Sequence, residues 1–162
     1  MMKVISAPGD LVVATSGGIH VRFAGVESTD HLPSVREVKP GDRGLKVSLE
    51  GIRGPETQRR DAAFVEARQN WADQLRTNGA ESAGPAPTMP GVVVLQPIQV
   101  DIKDDAGTEY RFVAGQAAGD GTEWSASWTY LPEPPENARN LYLEFSLQEG
   151  QNRCKSQIKL GL

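Results

Sequence analysis

The chain is poor in the residues that usually carry chemistry. Its 162 residues include one cysteine, Cys154, and two histidines, His20 and His31. A lone cysteine excludes an intrachain disulfide framework and a cysteine-rich metal site. Arg153 and Lys155 flank Cys154 and would favour its thiolate; the simpler reading is a loop or strand-edge cysteine with no chemical role. The sequence has neither Gly-x-Ser-x-Gly nor His-Glu-x-x-His, so it lacks the nucleophile elbow and zinc-helix motifs of common hydrolases. Asp30 and His31 are sequence neighbours, and neighbours seldom meet in dyad geometry. No enzymatic activity and no cofactor are expected.

Positive charge is also in deficit. Seventeen Lys and Arg face 21 Asp and Glu, for a net charge of -4 and a pI of about 5.2. The excess lies in residues 101–162, where ten acids meet six bases. Duplex nucleic-acid binding rests on clustered cations, which are missing here. No run approaches the ~20 apolar residues of a spanning helix, so no membrane span is expected. The first ten residues lack the apolar core of a signal peptide. That reads as cytoplasmic for the sequence as it stands, or extracytoplasmic if a leader has been removed.

What the chain does have is turn formers and alternation. Seventeen Gly and 11 Pro punctuate short segments of period two. These include Ile19/Val21/Phe23, Leu45/Val47/Leu49, Ile98/Val100/Ile102, Tyr110/Phe112 and Leu141/Leu143/Phe145/Leu147, with Leu11–Ala14, Val92–Leu95 and Ile158–Leu160 as shorter strand candidates. Ala7–Asp10 and Glu149–Asn152 read as turns, Asp104-Asp105-Ala106-Gly107 as a hairpin turn, and Gly115–Gly121 as an interstrand loop. Eight to ten such strands predict a mainly β, antiparallel sandwich or barrel.

Between Pro55 and Thr77 the period becomes helical, with Phe64, Ala67, Trp71 and Leu75 on one stripe. Glu56 and Asp61 suit the positive end of that helix, and Asn78-Gly79 its end. Gly79–Gly91, with Pro85, Pro87 and Pro90, reads as an extended linker. Residues of about 53–91 therefore form a helix-plus-linker insertion in a single domain spanning 1–162.

Two clusters are candidates for binding. Trp124, Trp128 and Tyr130 alternate along one strand face; exposed, they would form an aromatic platform for sugars, and buried, the centre of a core. Phe64, Trp71 and Leu75 would dock the helix either on its own domain or on an unidentified protein partner. Asp101, Asp104, Asp105 and Glu109 crowd around Gly107, but their order departs from a calcium loop, and no metal site is assigned.

The stretch Val100–Tyr110, then Trp124–Tyr130, then Leu131-Pro132-Glu133-Pro134-Pro135 leading to Leu141, resembles uncharacterised bacterial proteins of immunoglobulin-like β-sandwich type. The resemblance spans residues of about 97–143. It implies an immunoglobulin-like antiparallel β-sandwich, here with one inserted α-helix, and it implies no catalytic residues. The expected function is a non-catalytic scaffold or protein-interaction module, with carbohydrate binding on the aromatic face as the alternative.

Overall fold

A computed structural model describes residues 3–6, 11–119, 123–147 and 153–160. The chain is mainly β, with two antiparallel sheets and a few helices. Strands β1 (Lys3–Ser6) and β2 (Val12–Ser16) both pair with β3 (Ile19–Thr29), at successive positions along it. β3 pairs with β4 (Gly44–Gly51), β4 with β7 (Ser125–Leu131), and β7 with β6 (Arg111–Ala118). The second sheet holds β5 (Ile98–Asp104), β8 (Asn140–Leu147) and β9 (Arg153–Lys159), in the order β5-β8-β9.

Alternation decides which side chains face inward. Val21, Phe23, Leu45, Val47, Leu49, Trp124, Ala126 and Tyr130 of the larger sheet form one core with Ile98, Ile102, Leu141, Leu143 and Phe145 of the smaller. The Phe23 and Phe145 rings meet edge to face at 5.4 Å across the two layers, a favoured aromatic arrangement. Charged residues on these strands fall between the inward positions, as in the pairing of Arg22 with Glu50 across β3 and β4.

The insertion is more helical than expected. Helix α1 runs Pro55–Asn78, followed by α2 (Ala80–Ala83) and α3 (Pro90–Leu95). The expected linker over 79–91 thus contains α2 and the start of α3. The expected strand Val92–Leu95 is helical, because Pro90, Gly91, Val94 and Leu95 are the residues buried. That spacing of one, four and five is a helical stripe, and burial overrides the β preference of three valines.

Two further expectations change. Asp104–Tyr110 is no hairpin: β5 and β6 lie in different sheets, so this turn carries the chain from one layer to the other. A turn signal marks where a strand ends; it does not say which sheet takes the next one. Gly115–Ala118, expected in a loop, belongs to β6. The expected turns at 7–10 and 149–152 lie outside the described residues.

Gly91 marks a tight junction. A Cβ there would sit 2.6 Å from the Ala118 carbonyl oxygen and 2.7 Å from the Gly119 Cα, while the Gly91 N–H donates to the Gly119 carbonyl at 3.1 Å. Backbone cannot yield as a side-chain tip does. Replacing Gly91 by Ala is expected to destabilise the chain by about 1–3 kcal/mol, read as a lower urea midpoint with an unchanged slope.

Candidate functional site

The helical insertion is the feature that departs most from a plain sandwich, and polar contacts fix its base. Pro55 opens α1 with a preset φ and no N–H to satisfy. The Gly54 N–H donates to Thr57 Oγ1 at 2.9 Å, and the Thr57 hydroxyl donates to the Gly54 carbonyl at 2.9 Å. Arg60 reaches from α1 to the Gly17 carbonyl in the β2–β3 turn at 2.9 Å. Beside it the Trp124 indole N–H donates to Asp61 Oδ1 at 2.9 Å, with both residues buried. From sequence Asp61 reads only as a helix-end charge; its position three residues before Phe64, on the apolar stripe, is the signal for its inward role.

Beyond Asp61 the helix leaves the sandwich. From residue 62 to residue 78 every side chain is exposed except Phe64 and Trp71, which are half-buried. That length of helix spans about 25 Å. The returning chain packs on it: α2 lies against α1, and the Trp71 indole N–H donates to the Gly84 carbonyl at 3.0 Å. Trp71 is thereby used within the insertion, and Leu75, on the same stripe, stays 38% exposed. Around the helix from this stripe Val65 is 58% exposed, and Glu66, Gln69, Asp73 and Arg76 accompany it in solvent.

The aromatic face of β7 points inward. Trp124 is 1% exposed and Tyr130 7%, and Trp128 is half-buried against the core. The three rings do not form the solvent-facing platform that stacking on a sugar requires. The Tyr130 hydroxyl donates to the Val100 carbonyl at 3.3 Å, which sets β5 over β7. Desolvation, and then the Asp101 carboxylate, raise the Tyr130 pKa to about 12.

Elsewhere, a cleft of about 780 Å³ opens among the 37–43 loop, the β5–β6 crossover and the end of β7. Lys39, Lys103, Tyr110, Arg111 and Leu131 help line it. Arg43 also lines it and donates through Nε to Glu133 at 2.9 Å, while the Ser28 hydroxyl donates to the same carboxylate. No motif announces this assembly, because its parts come from separated connections.

The acidic cluster braces the crossover itself. Asp104 Oδ1 accepts the N–H groups of Ala106 and Thr108 at 2.9 and 3.0 Å, and the Tyr110 hydroxyl donates to its Oδ2 at 2.7 Å. Asp105 accepts from the Arg139 N–H at 2.8 Å and the Asn140 side chain at 3.0 Å, which ties the crossover to β8. Among the described residues no three His, Cys, Asp or Glu side chains converge as a metal site. His20 Nδ1 lies 2.7 Å from Thr15 Oγ1, and His31 Nε2 lies 3.7 Å from Asp30 Oδ1. Cys154 is half-buried, its thiol 4.0 Å from the Val12 carbonyl.

Asp61→Leu strands the buried Trp124 N–H and should cost about 1–3 kcal/mol, with faster amide exchange in the first turns of α1; Asp61→Asn keeps an acceptor and should cost less. For Asp104, partial burial opposes ionisation but is outweighed by hydrogen bonds from Thr108, Tyr110 and the Ala106 N–H, so its pKa falls below 3.8. A depressed carboxylate lends stability above its unfolded pKa and loses it as pH drops through the folded value. Stability should therefore decline below pH 3.8, and Asp104→Asn should flatten that decline in urea melts taken across the acid range.

Compared with family models, curated proteins and solved structures, the chain matches none of them.

Proposed function

We propose that this chain is an immunoglobulin-like β-sandwich serving as a non-catalytic protein-interaction module, with the α1–α2 arm as the surface it offers. The strand order supports the fold: β3-β4-β7-β6 against β5-β8-β9 corresponds to the A-B-E-D against C-F-G order of a constant-type immunoglobulin sandwich. In that correspondence β1 and β2 add an outer margin, and the helices occupy the B–C connection.

The observation that carries the function is the reach of α1. An ordered helix standing off its domain holds its residues against their conformational entropy while burying little of its own surface. With Trp71 engaged by the returning chain, the face left for a partner carries Val65 among Glu66, Gln69, Asp73 and Arg76.

Photo-crosslinking tests this directly. A benzoylphenylalanine replacing Val65 should give one discrete protein adduct in extracts of the source cell, and the same probe replacing Lys46 on the sandwich should not. Replacing residues 62–88 by a short Gly/Ser linker should leave the sandwich folded by circular dichroism while abolishing binding of that partner. Equal adducts from both positions, or none from Val65, would sink the proposal.

A further inference from the structure

The two layers of the sandwich differ in width, and the difference leaves a slot at one margin. Tyr130 of β7 bonds to Val100 of β5, so β5 lies over β7. β6, the next strand beyond β7, ends the larger sheet, and β5 ends the smaller one. The inward side of β6 is open: Phe112 is 53% exposed although its ring meets the buried Tyr130 edge to face at 5.7 Å. Gly115 extends the opening. A Cβ there would meet Trp128 Cδ1 at 3.2 Å and Phe112 Cζ at 3.3 Å, so the two rings lie over the bare glycine. Beside this floor runs the outer edge of β5, with which no described strand pairs.

We infer that this slot receives one extended strand of a partner peptide, added to the edge of β5 and laid over Phe112, Gly115 and Trp128. Strand spacing of about 4.8 Å and layer spacing of about 10 Å place an added strand above β6. Its alternate residues would point down onto the aromatic floor and must be apolar. The others would join the outer face of β5, where Asp101 and Lys103 are exposed. Neither has an ion-pair partner among the described residues. A base opposite Asp101 and an acid opposite Lys103 complete the match. The occupant is thus an extended segment with an apolar residue flanked by one acid and one base. The overhang of β6 argues against a second sandwich in the slot: edge-on pairing of two β5 strands would drive each β6 into the place of the other copy's β7. This site is separate from the helical arm and stands or falls without it.

The probe is the peptide Thr-Val-Glu-Val-Lys-Val-Thr, whose antiparallel addition sets Lys opposite Asp101 and Glu opposite Lys103, titrated into the whole chain with amide hydrogen exchange as the readout. Expected are at least about tenfold slower exchange at those β5 amides between residues 99 and 103 that face away from β8 and a shifted Trp128 indole resonance. Asp101→Asn, checked for an unchanged fold, should weaken binding about threefold, and a peptide with serines in place of Lys and Glu should lose that dependence. Proline at the central valine removes a ladder hydrogen bond and should abolish protection. Unchanged β5 exchange at about 1 mM peptide, or equal binding of the proline peptide, overturns the inference. So does protection already present without peptide: a concentration-dependent dimer would then assign the edge to a second copy, and a monomer to the chain's own residues.

Discussion

Trp124 is the junction on which both the sandwich and its insertion depend. Its indole is enclosed at the end of the larger sheet, where three other elements arrive with no room to spare. A Cβ on Gly51 of β4 would lie 3.1 Å from the Trp124 Cβ, and one on Gly119, just past β6, 2.7 Å from its Cγ. Gly119 is in turn the residue on which Gly91 of α3 rests. Burying an indole of about 150–250 Å² contributes roughly 4–6 kcal/mol, but only if its N–H keeps a partner. Asp61 supplies that partner from α1. One hydrogen bond thus joins the hydrophobic gain of the core to the anchoring of the arm, and the glycines let the backbones close around it.

The same core explains why the sandwich is lopsided. Its two layers meet at the Phe23–Phe145 contact between β3 and β8. Away from that centre the smaller sheet ends at β5 while the larger continues to β6. The other margin of the larger sheet is managed differently: β1 and β2 share one long neighbour, each with a register shift, and short, bulged edges resist further pairing. β6 has a shift of its own between Phe112 and Ala114 but is uncharged from Phe112 to Ala118. Its alanines and glycine offer little apolar bulk to bury, which fits a strand left open on its inner side.

Much of this architecture is legible in the sequence, because strand alternation and helical period are direct consequences of burial. The alternating apolar residues of β3, β4, β5 and β8 form the core or pack against it as expected, and α1 departs from its expected end by one residue, Asn78. What escapes a one-dimensional reading is contact between distant segments. Val92–Leu95 has the composition of a strand and becomes a helix only because α3 must seat Val94 and Leu95 together in the core. The Asp104 turn is visible, but its passage between layers depends on where β7 and β8 stand. Asp61 looks like a helix-end charge until Trp124, 63 positions later, is brought to it.

The division of labour within the arm follows from the same physics. An isolated helix of this size is marginal in water, so α1 needs an apolar contact beyond its anchored first turns. The returning chain provides it, with the Trp71 indole bonded to Gly84. That contact stabilises the arm at the expense of its most apolar stripe, which is then no longer available as an amphipathic face for a partner's groove. The surface that remains mixes Glu66, Asp73 and Arg76 with one exposed valine. In the proposed role, recognition there rests on complementary charge and hydrogen bonding, which govern specificity and association rate more than raw affinity. The slot beside β5 has the opposite character, aromatic on its floor with backbone groups on its edge, so the two surfaces suit partners of different chemistry.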